Sequence, residues 1–315
     1  MTEPPQATVV VATRNRRRRL EALLAGLTRQ DGVAFETIVV DDGSTDTTPA
    51  LLSGGVDGLS LQVVRNDRPL GRAAARNAGW PLAQSDLVVF TDDDVVPEAG
   101  WLAALVDAHR SHADTIIQGR TEPDPEEVGR SRIFWRSIRV EELDELAPTC
   151  NIAYPSEMLR KMGGFDPGHF KRMGEDTDLA WRARKAGADL VFVDSARARH
   201  AVHQPGLVGA LRDTHRTLDM VPLVRRHPEV RRALHRGLFV DPHHEPALAL
   251  ALGLALSRRT RGGSLLLALP YAATYRRHHA NWPRTLAALP AYALVDLFCT
   301  LALAGASARH ATPVL

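Results

Sequence analysis

Short runs of β-branched and apolar residues recur along the first part of the chain, and each stops abruptly at a polar loop. Thr8-Val9-Val10-Val11-Ala12 runs into Thr13-Arg14-Asn15, Thr37-Ile38-Val39-Val40 into Asp41-Asp42-Gly43, and Asp86 to Phe90 into Thr91 and the triplet Asp92-Asp93-Asp94. Runs this short and apolar suit strands buried on both faces. Between them the spacing turns helical: Leu20, Leu23, Leu24 and Leu27 share one face, a helix starts near Thr47 or Thr48, Ala73 to Ala83 is helical until Pro81 ends it, and Trp101 to His109 is helical again. Leu61 to Arg65, Thr115 to Gly119 and Leu190 to Asp194 read as further strands, Asp178 to Ala186 as a helix, and Glu122 to Arg130 as an acidic loop. This alternation predicts an α/β fold with an open, mostly parallel sheet flanked by helices on both faces. Such sheets bind ligands at the carboxyl ends of their strands, where both acid clusters fall.

Composition narrows the setting. At 315 residues the chain holds one large domain or two smaller ones, and a core of that size needs no disulfide or structural metal. Cys150 and Cys299 stand far apart in no metal-ligand spacing, which suits a reducing cytoplasm. The net charge of +2 hides an asymmetry, because acids crowd the first two thirds while arginine and histidine dominate beyond about residue 196. A basic C-terminal part could face an anionic lipid or substrate, or be a solvated surface. Met1 to Ala7 is polar with two prolines, so no signal peptide is expected. From Pro205 onward the pattern is helical and broken by prolines, which sets a boundary between residues 1–204 and a helical C-terminal region, 205–315. Within it, Leu286 to Ala306 is almost wholly apolar but contains Pro290 and Asp296, which predicts a buried or membrane-surface helix rather than a span.

The triplet carries the chemistry. Three adjacent carboxylates repel one another unless something positive joins them. A helix start could use one acid, not three; a divalent cation with hard oxygen ligands, Mg²⁺ or Mn²⁺, accounts for all of them. A D-x-D at a strand end fits two reactions. One is phosphoryl transfer through an aspartyl nucleophile, as in haloacid-dehalogenase-like phosphatases, with Asp92 as nucleophile and Asp94 as acid. That motif belongs on the first strand, and here it follows about the fourth. The other is glycosyl transfer, in which the metal bridges the diphosphate of a sugar nucleotide.

Six segments, in order, resemble inverting glycosyltransferases of family two, which have the GT-A fold: Val9 to Arg16, Val39 to Asp46, Gly71 to Gly79 with its Arg76-Asn77, Phe90 to Pro97, Gly163-Gly164-Phe165-Asp166 and Gly174 to Arg182. The resemblance spans about residues 8 to 203. It implies a metal-dependent transferase that moves one sugar from a nucleotide diphosphate-sugar to a hydroxyl acceptor with inversion. The implied roles fall residue by residue. Thr13 and Asn15 lie beside the base, and Asp41 or Asp42 accepts a base N–H, which suits uracil. Arg76 lies near base and phosphates. Asp92 contacts the ribose or the metal's water shell, Asp93 stands with the donor-binding residues but could instead cap the turn, face solvent or be structural, and Asp94 is the direct metal ligand. Asp176 is the catalytic base with Glu175 as its rival. A histidine after the strand ending at Asp194 completes the metal site, His200 being preferred to His203. Arg16 to Arg19 are read as a solvated helix face.

Two departures qualify the match. Ala12 stands where the family has proline before the threonine. The features of processive polysaccharide synthases are missing, which favours transfer of a single sugar. No nucleic-acid partner is expected. The C-terminal arginines, Arg258, Arg259, Arg261, Arg276 and Arg277, together with the apolar late helix, suggest peripheral membrane contact or a homodimer. A phosphatase and a catalytically inactive sugar-nucleotide-binding module are the alternatives; the acids retained at both donor and base positions weigh against the second.

Overall fold

The computed structural model describes residues 4–130, 134–170, 172–276 and 282–315. Arg277 falls outside them, and the side chain of Arg276 is likewise not described. The chain divides into two compact units. The first takes the described residues within 1–130, 136–171 and 175–203, and the second those within 131–135, 172–174 and 204–315.

The first unit is built on β1 (Ala7–Thr13), β2 (Phe35–Asp41), β3 (Leu61–Arg65), β4 (Leu87–Asp92), β5 (Val95–Pro97), β6 (Thr115–Pro123), β7 (Asn151–Pro155) and β8 (Asp189–His200). Its helices are α1 (Arg17–Leu27), α2 (Thr48–Ser53), α3 (Arg72–Gly79), α4 (Trp101–Ser111), α5 (Pro125–Gly129), α6 (Ser156–Met162) and α7 (Glu175–Lys185). The strands form one sheet in the order β3-β2-β1-β4-β7-β6-β8-β5. The β3-β2-β1-β4 half is parallel throughout, β7 runs antiparallel to both its neighbours, and β6 and β8 are parallel to each other.

Alternation along the strands sets the two faces. Val9, Val11, Val39 and Val89 pack with the leucines of α1 and with Trp101, Leu102 and Leu105 of α4. Val10, Ile38, Val40, Val88 and Phe90 pack on the other face with Ala73, Ala75, Tyr154, Leu159, Phe165 and Leu179. Both faces are buried, as the uninterrupted apolar runs require.

Three elements differ from the sequence expectation. The stretch expected as an acidic loop ends β6 with Glu122 and Pro123, then forms α5, whose start is capped by the Asp124 carboxylate accepting the Glu126 and Glu127 N–H groups. The helix expected over Ala73 to Ala83 stops at Gly79, and Pro81 sits in a following 3₁₀ turn. β8 runs on to His200, past a register shift at Gly119/Arg120 of β6. That shift carries the strand to the antiparallel partner β5, where Val95 pairs with His200.

The second unit is helical: α8 (Gly206–Thr217), α9 (Met220–Arg226), α10 (His244–Leu256), α11 (Leu269–Arg276) and α12 (Trp282–His310). α12 has Pro290 inside it. Its part from Leu286 to His310 is long and apolar enough to cross a membrane by length and composition; its most apolar 18-residue window has a mean hydropathy of 1.9, and 28% of that window is buried within the protein. Asp296 is satisfied by the hydroxyls of Tyr271 and Tyr275, each donating at 2.7 Å. Tyr275 stacks on Tyr292 at 4.2 Å and on His243 at 4.5 Å. The acid that made this helix costly as a span is thus the hub of an aromatic cluster inside the unit.

Candidate active site

Two acidic centres lie at the carboxyl ends of the central strands. The first surrounds Asp94, in the turn between β4 and β5. Because Val95 pairs with His200, the segment that follows β8 is drawn alongside the triplet, and the Ala201 N–H donates to the Asp94 carbonyl at 2.9 Å. Further bonds hold that segment: the Val202 N–H donates to Glu127, and His203 and Arg136 exchange backbone bonds at 2.9 Å in both directions. Among the described residues, Asp94, His200 and His203 form the one cluster of three candidate metal ligands, with ligand atoms all within 4.8 Å. His203 Nε2 is 2.8 Å from Asp94 Oδ2, and His200 Nε2 is 3.7 Å from Oδ1.

The tautomer of His200 decides what this cluster suits. Its Nδ1 lies 2.7 Å from the Ala201 carbonyl, which can only accept, so Nδ1 carries the hydrogen. In the neutral ring Nε2 then presents a lone pair to the Asp94 carboxylate. Two acceptors face each other across a space that a cation would fill, and a histidine whose far nitrogen donates to a carbonyl is the usual second shell of a metal site. The donor set of one hard carboxylate and two imidazoles fits Mn²⁺ better than Mg²⁺. Burial works against ionised Asp94, but the His203 bond and the Arg16 guanidinium hold its carboxyl well below the usual range.

Arg16 adds a cation that the sequence reading left on a solvated face. Its Nη1 donates to Asp93 at 2.9 Å and to Asp94 at 2.7 Å. Asp93 also accepts from the Thr13 hydroxyl at 2.7 Å. Burial pushes the Asp93 carboxyl up to about 6, with Arg16 pulling it down and Asp94 pushing it further up. Sequence reasoning ranked His203 behind His200 and read Arg16 as part of a solvated face. The only available signals were the three-residue step from His200 and the place of Arg16 directly before α1.

The second centre surrounds Arg76 of α3. α3 presents it beneath Asp92 and Glu175: Nη2 donates to Asp92 at 2.8 Å and Nη1 to Glu175 at 3.0 Å. Arg72 approaches the same Glu175 oxygen at 3.3 Å. Burial alone would lower the charge state of Arg76, but Asp92 and Glu175 outweigh it and hold the guanidinium protonated. Asn77, the next residue, clamps the Gly164-Phe165 turn by accepting the Phe165 N–H at 2.9 Å and donating to its carbonyl at 2.8 Å. Gly164 is required there, since it sits at φ 70° and an added Cβ would lie 2.5 Å from the Asn77 side chain. Phe165 in turn packs edge-on against Phe90 at 5.0 Å and under Arg76 at 5.5 Å. The arginine-asparagine pair and the Gly-Gly-Phe turn are therefore one structure.

Glu175 and Asp176 begin α7 and differ in availability. Glu175 is buried and spent on two arginines. Asp176 is half-buried, and its bond from the Thr177 N–H leaves the second oxygen open. Burial raises its carboxyl above the ordinary range, the Glu175 charge adds to that, and Arg76 opposes it. Asp178, two residues on, is fully buried against Arg182, whose other nitrogens bind the Met162 and Gly164 carbonyls.

The remaining site residues sit in the loops after β1 and β2. Asn15, at φ 53°, accepts the Thr45 N–H at 2.7 Å and the Asp46 N–H at 3.2 Å, and so ties the two loops together. Asp41 continues the face of Val39, where it accepts the Ser44 N–H at 2.9 Å and has Arg65 at 3.7 Å. Asp42 follows the face of Val40, which is also that of Asp92. It holds the loop before α3 by accepting the Leu70 and Gly71 N–H groups and the Asn66 amide. A cleft of about 420 Å³ adjoins Asp41, Val63 and Arg65, but none of Asp92, Asp94 and Asp176 lines it.

The sequence model of glycosyl transferase family 2 matches residues 8–166, which takes in β1 through the Asn77-Phe165 clamp. The chain belongs to this family. Among curated relatives, it is 29% identical over 234 residues to a pre-mycofactocin glycosyltransferase of Mycobacterium tuberculosis, covering 70% of this chain and 48% of that one. It is 26% identical over 280 residues to validoxylamine A glucosyltransferase of Streptomyces hygroscopicus, covering 75% of this chain and 65% of the other. The match to the mycobacterial protein thus spans about half of that protein's length. The family-2 chain also shares its fold with a mannosyltransferase from Pyrobaculum calidifontis solved with GDP-Man and Mn²⁺: TM-score 0.59, 21% identity, 98% of this chain and 88% of that one. For TarS of S. aureus in complex with UDP the values are 0.54, 18%, 98% and 92%. These neighbours are GT-A glycosyltransferases, so the sheet is a GT-A sheet.

Proposed function

We propose that this family-2 chain moves a single sugar, with inversion, from a nucleotide diphosphate-sugar to a hydroxyl acceptor, using Mn²⁺ or Mg²⁺. The observation that carries the reading is the meeting of the two acidic centres at the strand ends: one neutralised by buried Arg76, the other open to a cation between Asp94, His200 and His203. Asp94, His200 and His203 would hold the metal; Asp92, engaged by Arg76, stands outside that cluster and faces the donor. The bound cation supplies Lewis-acid stabilisation of the leaving diphosphate.

The chain's own groups do the rest. Asp176 takes the proton of the acceptor hydroxyl as its oxygen attacks the anomeric carbon. The bond to the diphosphate oxygen breaks on the opposite side, which inverts the centre. Glu175 does not compete for that proton, because it is held by Arg72 and Arg76; it positions Arg76 instead. Thr13 and Asn15 shape the loop beside the base. Asp41 or Asp42 answers the base: both Asp42 oxygens already accept from the loop before α3, whereas Asp41 braces the loop through one oxygen and keeps the other without a hydrogen-bond partner. A carboxylate there suits the N–H of uracil, and the UDP complex of TarS supports a UDP-sugar as donor, whereas the GDP-Man complex of the mannosyltransferase keeps a guanosine donor in the test. The acceptor belongs to glycan, cell-wall or natural-product biosynthesis, and the reaction is placed in a bacterial cytoplasm. A phosphatase reading is disfavoured at Asp92, which Arg76 engages and which ends the fourth strand rather than the first.

Titration calorimetry tests the assignment. UDP should bind tightly with Mn²⁺ and weakly without it, and Asp94→Ala should remove the difference. Equal metal dependence in that variant would take the cation away from Asp94. GDP binding in preference to UDP would reverse the choice of base while leaving the metal centre standing.

A further inference from the structure

The second unit carries a surface that the transfer reaction does not use. From Pro246 to Val295 the sequence contains no aspartate or glutamate, yet it contains Arg258, Arg259, Arg261, Arg276, Arg277 and Arg284. The first three sit in the exposed turn after α10. That turn is the tip of a tight hairpin. α10 packs on the 3₁₀ segment Gly263–Ala268 so closely that a Cβ on Gly253 would lie 2.6 Å from the Ser264 carbonyl, and the Ser264 hydroxyl donates to the Gly253 carbonyl at 2.7 Å. The hairpin's backbone is therefore fixed by close packing. Leu252, Leu254, Leu266 and Leu269 are 54, 54, 69 and 62% exposed. Leu252 and Leu254 point to different sides of α10, and Leu254 lies one turn before Arg258 on the same side, so Leu254 with Leu266 and Leu269 gives the arginine turn exposed apolar neighbours.

The mixture selects the occupant. Nucleic acid would want the arginines interleaved with aromatic stacking platforms, and the exposed residues here are aliphatic. A protein partner would have to pair an apolar groove with an acidic rim matched to this one turn. A bilayer with anionic headgroups answers both, since leucine enters the acyl boundary and arginine meets lipid phosphate. We propose that the α10 hairpin, through Arg258, Arg259 and Arg261 and the leucines beside them, docks the chain on an anionic membrane surface without crossing it. This does not rest on the transfer reaction.

Flotation of the full chain with vesicles tests it, using phosphatidylcholine mixed with phosphatidylglycerol against phosphatidylcholine alone. The wild type should float with the anionic vesicles at low salt and be released at high salt. Replacing all three arginines by glutamine should lower the partition about a hundredfold, since each contributes about 1 kcal/mol near an anionic surface. Leu266→Ser with Leu269→Ser should keep binding at low salt and lose it near physiological salt. Circular dichroism melting of both variants checks that they fold. Equal flotation with neutral vesicles, no flotation, or wild-type behaviour of the arginine variant overturns the proposal. Retention at high salt would mean a spanning helix and overturns it too. A concentration-dependent dimer that the leucine changes abolish, without flotation, assigns the face to a second copy instead. Asp176→Asn should float as the wild type does, so a failure of the transfer assignment leaves this measurement unaffected.

Discussion

The two acidic centres handle the same problem in opposite ways. Around Arg76, the carboxylates of Asp92 and Glu175 are answered by a guanidinium that is buried and permanently charged. Around Asp94 stand two imidazoles, which can share a cation with it, and an arginine whose side chain is 43% exposed and can give way to one. The first arrangement is fixed with the fold, and the second is suited to exchange. A buried ion pair is weak support for stability but costly to break from one side, whereas an exchangeable cluster loses little stability when one member goes. The contrast predicts that variants at Arg76 register in folding, and variants at Asp94 or the histidines register in binding.

The largest effect should come from the acid that neither centre consumes. Asp176→Asn is expected to leave metal-dependent UDP binding intact and to lower kcat about 10²–10⁴-fold, the usual worth of a positioned general base. Steady-state kinetics beside calorimetry separates the two; transfer at near the wild-type rate would put the base elsewhere. Arg76→Ala comes next. It leaves Glu175, nearly inaccessible to water, facing only Arg72, and should cost about 3–5 kcal/mol of stability in denaturant titration. Arg76→Lys restores charge without the two-pronged geometry and should recover part of the loss. A neutral Arg76→Ala would show that the Asp92 and Glu175 contacts are not what holds α3 to α7.

How much of this was legible in the sequence divides along the same line. β1 to β4, α1 to α4 and the acids at the strand ends could be read because their signals are local: uninterrupted apolar runs, leucine spacing, abrupt carboxylates. The Arg76 centre was partly legible through its motif. What could not be read is that Arg76 bridges Asp92 to Glu175, 99 positions away from it. β7 was missed because Asn151-Ile152-Ala153-Tyr154-Pro155 is short and ends in proline, and only its pairing with β4 and β6 makes it a strand. The Asp94 centre depends on the three-residue β5 meeting the far end of β8, beyond a register shift. No local pattern encodes that meeting, so His203 ranked only behind His200, Arg16 was read as part of a solvated face, and His200 rested on resemblance alone.

Smaller effects should mark the exchangeable centre. His203→Ala and His200→Ala are each expected to weaken Mn²⁺-dependent UDP binding about 10- to 100-fold, with melting temperatures near that of the wild type. The His200 variant should lose more than distance suggests, because the Ala201 carbonyl holds its Nε2 lone pair toward Asp94. A large loss of stability in either would mean that the imidazoles belong to the fixed class after all.

The smallest effect is the most diagnostic, because it separates activity from stability at one residue. As the proposed base, Asp176 would work only as the carboxylate, and its carboxyl is pushed up to about 7 by burial and by Glu175. At saturating Mn²⁺, which removes histidine protonation from the profile, kcat should fall about tenfold per pH unit below that value and level off above it. The stability sign is the reverse. A carboxyl whose value is raised on folding binds more protons in the folded chain than in the unfolded one, so its contribution declines as pH rises from the ordinary carboxylate range to neutrality. Asp176→Asn should therefore melt no lower than the wild type at pH 8 and gain least at low pH. Asp94, held below the ordinary range, runs the other way: its contribution is present above that range and is lost on acidification. A kcat limb near pH 4 would assign the proton transfer to an ordinary solvated acid, and a fall in stability of Asp176→Asn at pH 8 would place Asp176 with Arg76 among the groups that hold the fold.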